Sequence, residues 1–263
     1  MSAMEPKDKV PAVDTAIRML KLLTKEEYRE STLTSLTNAL EINKSTCLRI
    51  LKTLEYHSFL TYSETSKTYS LGTALIPLGQ RAKELNDYIV TASAYLPELA
   101  RLGLTSVLVK KGRGSDLIYV AKQEPPLKIR LTISTGDSFP IPAGALGKCF
   151  FSYLPEEEAD QIVEQELNNG VLPIYTPNSI VTLDQLKEQR TVIRQEGIAE
   201  SHEEYSLGFS GFACPIFDSS RNIVLALGVY LPSSFRNYME VGELKDAVRK
   251  TAQDITDAIS DIS

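Results

Sequence analysis

The distribution of glycine divides this chain of 263 residues into two parts of different character. The first glycine is Gly72, and the other thirteen follow it. Because glycine supplies the positive-φ conformations of tight turns, a front part without it is typical of helical elements with few special turns. The glycine-containing remainder suits a sheet with tight loops. The sequence therefore predicts two differently built regions, and the length is sufficient for two buried cores.

The front part has the pattern of three helices followed by a β-hairpin. Apolar residues recur at helical spacing in three stretches: 12–24, 33–40 and 44–57. Asn43 is a good N-cap for the third of these helices. Two short strands are predicted next, at residues 59–62 and 68–71, with the polar loop 63–67 between them. This order is typical of a winged helix-turn-helix domain, which we place at residues 10–72.

The third predicted helix has a polar face suited to DNA recognition. Four residues at spacings of i, i+4, i+7 and i+11 lie opposite its apolar stripe: Ser45, Arg49, Lys52 and Tyr56. We predict six DNA-contacting residues: Lys44, Ser45, Thr46, Arg49, Lys52 and Lys67. Arg49 is the best candidate for base readout, because a guanidinium can pair bidentately with guanine. Lys67 lies at the tip of the predicted wing, where it would contact the flanking phosphate backbone.

The context of this helix favours DNA binding over a merely solvated polar face. A solvated face is the commoner interpretation of an isolated helix of this composition. Here a short helix precedes it and a hairpin with a cationic tip follows. Charge is also uneven, because residues 1–81 have a net charge of +2 and the remainder a net charge of −8. This asymmetry is compatible with a DNA-binding front part and an acidic partner domain.

The remainder of the chain predicts an α+β domain. A helical pattern from Thr73 to about residue 86 indicates a linker helix, placed at 73–89. Strand-like runs follow at 105–110, 117–122, 127–133, 211–217 and 223–230. Helical runs lie at 145–153, 156–167, 183–196 and 236–261. This mixture predicts an antiparallel sheet with helices over residues 90–263.

Cysteine and histidine usage argues against a metalloprotein or an enzyme. The three cysteines, Cys47, Cys149 and Cys214, are far apart, and the chain has only two histidines, so neither a disulfide framework nor a zinc site is expected. Cys149 or Cys214 with His202 could in principle form a nucleophile and base, but neither has an activating context or a third partner. We therefore predict no catalytic residue, metal or cofactor. An enzyme, or a sensor whose helix-turn-helix contacts only protein, remains the alternative.

No feature of the sequence predicts a membrane partner. No apolar run reaches the roughly 18 residues that a membrane-spanning helix needs. Residues 1–9 are polar and lack the apolar core of a secretory signal. We therefore expect a cytoplasmic protein.

Six stretches resemble the IclR family of bacterial regulators. They are VPAVDTAIRMLKLL, LTSLTNALEINKSTCLRILKTLE, YSLGTALIPLG, IPAGALGKCFFSYLPEEE, RTVIRQEGIAESHEEYSLGFSGFACPIFD and LGVYLP, in the family's order, and NKSTCLRILKTLE is the most specific part. The resemblance covers nearly the whole chain. It implies a winged helix-turn-helix joined by a linker helix to a GAF-like effector domain. It also implies a homodimer or homotetramer that binds double-stranded operator DNA in response to a small molecule, and we expect a repressor.

Three positions in the DNA-binding region depart from the family pattern. Glu41 and Ser58 stand where the family usually has glycine, and Thr15 stands where it often has arginine. A non-glycine residue at positive φ costs roughly 1 kcal/mol, so either Glu41 bears that strain or the turn has another shape. The missing cation predicts modest affinity or an atypical operator.

The resemblance also implies an effector site formed by six residues: Gly144, Ala145, Glu204, Cys214, Gly228 and Tyr230. Residues 140–145 open a predicted helix, whose backbone N–H groups favour a carboxylate. Helix-start packing and a buried thiol are the structural alternatives. Relatives that sense small organic acids have serines at the positions of Gly228 and Tyr230. We therefore expect an aromatic or larger acid and not a very small one such as glyoxylate.

Overall fold

The computed structural model describes residues 10–112, 114–126, 133–238 and 240–260. These residues form two compact units that divide between Asn86 and Asp87. In the described residues of the first unit, the α-helices are α1 (Pro11–Leu22), α2 (Leu33–Leu40), α3 (Lys44–Tyr56) and α4 (Leu75–Glu84), and a 3-10 helix, Glu26–Tyr28, follows α1. The strands are β1 (Ser31–Thr32), β2 (Leu60–Ser63) and β3 (Thr68–Leu71), arranged antiparallel in the order β1-β3-β2. The three helices and hairpin predicted for this region are confirmed.

The first unit has its own core, and local signals define its helices. The buried residues are Met19, Leu23, Leu36, Leu40, Cys47, Ile50, Leu51, Leu60 and Tyr69. The side chain of Thr32 caps α2 by accepting from the Ser35 N–H, at 3.2 Å. Asn43 caps α3 in the same way, accepting from the Thr46 N–H at 2.8 Å. Packing therefore places the apolar faces of α1, α2 and α3 inward, and the caps determine where α2 and α3 begin.

Two residues that replace family glycines adopt the left-handed conformation. Glu41 ends α2 with φ 55° and ψ 43°, and Ser58, just after α3, has φ 58°. The first of the two expected outcomes is therefore confirmed, because the turn keeps the shape that glycine favours and Glu41 bears the strain.

The linker region differs from the single helix predicted for residues 73–89. Helix α4 ends at Glu84, and a new helix begins at Asp87. The Asn86 side chain donates to the Ala82 carbonyl at 2.7 Å, a carbonyl that a continuing helix would have bonded to a backbone N–H. An asparagine that bonds to backbone in this way favours a helix end.

The second unit combines a six-stranded sheet with six α-helices in the described residues. The helices are α5 (Asp87–Ser93), α6 (Leu96–Arg101), α7 (Gly144–Tyr153), α8 (Glu156–Glu166), α9 (Leu183–Glu196) and α10 (Val241–Ser260). The strands are β4 (Thr105–Lys111), β5 (Asp116–Gln123), β6 (Ser138–Pro140), β7 (Ala199–His202), β8 (Phe209–Phe217) and β9 (Ile223–Pro232). The sheet is antiparallel in the order β6-β5-β4-β9-β8-β7, which confirms the predicted α+β class.

Most predicted elements of this unit are present, with three differences. The strand predicted at 127–133 falls almost wholly on residues 127–132, which lie outside the described residues. The last helix begins at Val241 and not at 236, because a 3-10 helix, Ser233–Tyr238, precedes it. Helices α5 and α6 and strands β6 and β7 were not predicted. None of the helices in the described ranges is long and apolar enough to cross a membrane.

Each face of the sheet has a separate core. Helices α7, α8 and α9 contribute to a cluster with Ala213 of β8 and Ala226 of β9. Helices α5, α6 and α10 contribute to a second cluster with Phe212 and Cys214 of β8. Since successive strand residues point to opposite faces, this alternation determines which side chains face α7 and the predicted effector site.

Candidate DNA-recognition surface and effector site

The exposed face of α3 contains the residues predicted to contact DNA. Ser45, Arg49, Lys52 and Tyr56 are exposed, and Tyr56 is 84% exposed, while Cys47, Ile50 and Leu51 on the other side are buried. Lys44 is exposed at the start of the helix, whereas Thr46 is half-buried. The Ser45 hydroxyl donates to the capping oxygen of Asn43 at 2.8 Å, so this hydroxyl has a partner already. The structure therefore brings two cations and an aromatic ring together along one accessible helix face.

Lys67 lies in the β2–β3 turn, where it forms an ion pair with Glu64. It is exposed, has φ 57°, and its Nζ lies 3.1 Å from a carboxylate oxygen of Glu64. The hydrogen bond from Lys67 to Glu64, followed by the attraction of that charge, raises the pKa of Lys67. Exposed ion pairs of this kind are weak, so a phosphate can compete with Glu64 for the lysine.

The position of the missing family arginine is occupied by a residue that bonds within its own helix. The Thr15 hydroxyl donates to the Pro11 carbonyl at 2.8 Å. The nearby Arg18 donates to the Leu40 carbonyl at 3.2 Å, which ties α1 to the end of α2. Thr15 therefore supplies no cation at this position, as expected from the sequence.

A cleft in the second unit includes two of the predicted effector residues, Gly144 and Glu204. Its cavity volume is about 20 Å³, which lies within a depression of about 360 Å³ that is open to solvent. Its lining is formed by residues 140–144 together with Glu166, Leu172, Pro173, Tyr175, Ser179, Ile180 and Glu204. Gly144 begins α7 with φ 60°, a conformation that favours glycine at this entrance to the helix. Ala145 is buried in the core behind the cleft.

Gly228 and Tyr230 face α7, where the first has no side chain and the hydroxyl of the second is already in a hydrogen bond. A Cβ at Gly228 would lie 2.9 Å from Cγ and both Cδ atoms of Leu146, so Leu146 already covers this glycine. The Tyr230 hydroxyl is 2.9 Å from the Tyr119 hydroxyl and is hydrogen-bonded to it. Burial is the main cause that raises the pKa of Tyr230 above its usual value. Both positions are therefore occupied by packed groups.

Cys214 is not brought to this cleft, and its predicted place in the site is wrong. It pairs with Leu227 and is buried in the core on the α10 face of the sheet. The β8 residues that pair with Tyr230 and Gly228 on the α7 face are Gly211 and Ala213. The physical reason is the two-residue period of a strand, by which a shift of one position moves a side chain to the other face.

Two features of the cleft were missed from the sequence. Lys148 is 2% exposed, and its Nζ lies 2.7 Å from Oε1 of Glu204. Tyr175 and Tyr205 pack edge to face, with ring centroids 4.7 Å apart, and Phe139 lies next to Tyr205 at 6.0 Å. A lysine within an otherwise apolar helix was the available signal for the buried ion pair. The ring contacts join distant segments and had no local signal.

The cysteines lack the properties of nucleophiles. Burial raises the pKa of the Cys149 thiol well above its usual value and that of Cys214 to about 12. His202 belongs to a pair with Glu200, with 3.4 Å between His202 Nε2 and a Glu200 oxygen. Within the described ranges, no group of three His, Cys, Asp or Glu side chains could hold a metal ion.

Comparison with known proteins places this architecture in a family of regulators. The family model described as the bacterial transcriptional regulator IclR C-terminal domain matches residues 82–257. The HTH-type transcriptional repressor AllR of Salmonella typhimurium is 26% identical over 251 residues, which cover 94% of this chain and 89% of that protein. The HTH-type transcriptional regulator KdgR of Escherichia coli is 27% identical over 227 residues, which cover 86% of this chain and 84% of that protein.

A solved structure extends the likeness to both units. The crystal structure of an IclR transcriptional regulator from Alicyclobacillus acidocaldarius matches with a TM-score of 0.86 and 38% sequence identity. The match covers 96% of this chain and 100% of that chain. The family and these relatives are transcriptional regulators and not enzymes. This chain therefore belongs to the IclR family of bacterial transcriptional regulators.

Proposed function

We propose that this protein is a repressor that binds operator DNA through α3 and the β2–β3 hairpin, and that a small organic acid modulates this binding. The observation that carries the proposal is the exposed polar face of α3, with Arg49 and Lys52 opposite a buried stripe. The relative AllR is named as a repressor, which supports the direction of regulation. We assign DNA binding to residues 10–72, the linker to 73–89 and effector binding to 90–263.

The recognition helix divides its contacts between bases and phosphates. Arg49 lies in the middle of the exposed face, and a bidentate guanidinium pair with guanine gives it a role in base readout. Lys52, one turn later, and Lys44, in the first turn, bind phosphates. Ser45 and Thr46 contribute at the helix start, where the helix dipole favours a phosphate. Lys67 exchanges Glu64 for a phosphate that flanks the half-site.

A dimer is the expected DNA-binding form, because one winged helix reads only one half-site. The first unit exposes apolar residues in two places, Val10, Val13 and Ile17 along α1 and Ile76, Leu78 and Leu85 near α4. The three α1 residues repeat at i, i+3 and i+7 and therefore share one helix face. Exposed apolar patches of this kind favour protein contacts. We propose that α1 and α4 form the homodimer contact, and that dimers pair into a homotetramer.

The effector site is proposed at the cleft formed by residues 140–144, with Ala145, Gly228 and Tyr230 as its packed inner wall. The Tyr175–Tyr205 ring pair suits an aromatic ligand body. Gly228 has no hydroxyl and is covered by Leu146, and the Tyr230 hydroxyl is already hydrogen-bonded to Tyr119, so the two positions offer little to a two-carbon acid. An aromatic or larger carboxylic acid fits these surroundings better.

The test of DNA recognition is a fluorescence-anisotropy titration with DNA from the region upstream of the protein's own gene, with random DNA as the reference and salt varied. Arg49→Ala is expected to weaken specific binding by about 1–3 kcal/mol, which is roughly five- to 150-fold. Lys52→Ala should lower the slope of log affinity against log salt by about 1. Arg29→Ala is the matched control, because Arg29 is an exposed arginine of the same unit that pairs with Glu26 at 3.1 Å. Equal losses for Arg49→Ala and Arg29→Ala would contradict the proposed surface.

A further inference from the structure

The Lys148–Glu204 pair places a buried charge at the wall of the cleft. Lys148 lies one turn after Gly144 on α7, and its side chain is 2% exposed. Glu204, whose side chain is 13% exposed, lines the cleft and is also the anion that contacts Lys148, at 2.7 Å. One carboxylate therefore belongs both to the ion pair and to the surface that a ligand would meet.

Glu204 belongs to a short loop, residues 203–208, that is tied to another wall of the cleft. The Thr176 hydroxyl donates to the carbonyls of Glu203, at 2.6 Å, and Glu204, at 3.2 Å. The Ser179 hydroxyl donates to the Glu204 carbonyl at 2.8 Å. The ring of Tyr205 packs on Tyr175. These hydrogen bonds hold the backbone of this loop to Thr176 and Ser179, while the Glu204 side chain contacts Lys148.

The electrostatics of Lys148 restrict what can replace Glu204. Burial lowers the pKa of Lys148, and the nearby Glu204 carboxylate opposes that effect. A buried ammonium that loses its anion is strongly disfavoured and can lose its proton instead, so another negative charge in the place of Glu204 keeps Lys148 charged. A carboxylate substitutes for it without changing the charge of the site, whereas a neutral amide of the same shape does not.

We propose that Lys148 is the carboxylate-binding residue of the effector site, and that Glu204 is an internal anion that an acid effector displaces. The inference rests on the proposed function only in placing the effector at this cleft. The ligand class is a monocarboxylic acid whose apolar or aromatic body contacts Tyr175 and Tyr205. Displacement of the Glu204 side chain, on a loop that is anchored to Thr176 and Ser179, gives the ligand a means to alter this face of the domain.

Chemical rescue of a Glu204→Ala variant tests this exchange without knowledge of the natural effector. The full-length variant is unfolded by heat in acetate or acetamide, at an ionic strength held constant with sodium chloride. If external acetate replaces the Glu204 carboxylate on Lys148, acetate at about ten times its dissociation constant raises the unfolding midpoint by roughly 3 °C or more. Acetamide gives no such rise, and the rise is absent in Glu204→Ala/Lys148→Met. Glu204→Gln is examined in the same way, so that the test stands if the alanine variant does not fold.

The matched control is Glu158→Ala, which breaks the more exposed Lys111–Glu158 pair of 3.0 Å in the same unit. An acetate response that is as large in Glu158→Ala as in the Glu204 variants, or that survives Lys148→Met, overturns the inference. Benzoate should bind Glu204→Gln at least about tenfold more tightly than wild type, while benzamide shows no difference; equal benzoate affinity also overturns it. If the wild type binds operator DNA but acetate does not rescue the Glu204 variants, only this inference is refuted. Rescue without operator binding would refute only the proposed function.

Discussion

Replacing Glu41 with glycine should stabilise the DNA-binding unit. Glu41 ends α2 at φ 55° and ψ 43°, where a side chain collides with the backbone and glycine does not. The residue is exposed, so its removal exposes no core. The stabilisation therefore reports the backbone strain of the turn between α2 and the recognition helix.

The magnitude follows from two opposing effects. Relief of the left-handed conformation is worth roughly 1–2 kcal/mol. Glycine in turn lowers the free energy of unfolding by about 0.5–1 kcal/mol, because the unfolded chain gains conformational freedom. We therefore expect Glu41→Gly to raise the free energy of unfolding of this unit by about 0.5–1 kcal/mol.

Urea unfolding followed by far-UV circular dichroism measures this change, since the chain has no tryptophan to act as a fluorescent probe. Glu41→Gln is the charge control and should leave the free energy of unfolding within about 0.3 kcal/mol of wild type, because it keeps the strain. Glu55→Gly, at an exposed position inside α3, should instead lower it by about 1 kcal/mol. The reasoning fails if Glu41→Gly is no more stable than wild type, or if Glu41→Gln stabilises equally.

Three further predictions concern packing, capping and thiol chemistry. Gly228→Ser should lower the free energy of unfolding by about 1–3 kcal/mol, because its Cβ would lie 2.9 Å from Leu146. Adding Leu146→Ala to that variant should recover part of the loss. An unchanged midpoint of thermal unfolding for Gly228→Ser alone would contradict this reasoning. Asn43→Ala should cost about 1 kcal/mol of stability and weaken operator binding, since the cap orders the first turn of α3; unchanged urea unfolding would argue against that role. Burial raises the pKa of Cys214 to about 12 and that of Cys149 well above its usual value, so both thiols remain protonated at pH 8. Iodoacetamide should therefore label them slowly in the native protein and rapidly in urea. Equal labelling rates in the two conditions would refute their burial.

The first unit was predictable because its signals are local. Apolar spacing within each helix and the caps at Thr32 and Asn43 lie within a few residues of the elements that they define. The second unit was predicted less completely for the opposite reason. Helices α5 and α6 have only seven and six residues, and β6 has three, too few for a clear period. Their burial depends on contacts with distant parts of the unit.

The errors in the candidate effector site have the same origin in long-range pairing. Which face of β8 carries Cys214 depends on its register with β9, where Ala213 pairs with Gly228 and Cys214 with Leu227. Likewise, Lys148 finds its carboxylate 56 positions away, on a loop whose place only the folded sheet determines. A buried lysine on α7 requires such a partner, because burial disfavours the charge, yet the sequence does not indicate which of many acidic residues supplies it. A polar residue in an otherwise apolar helix is thus the local sign of a distant partner, and at this cleft that partner is the group a ligand would have to replace.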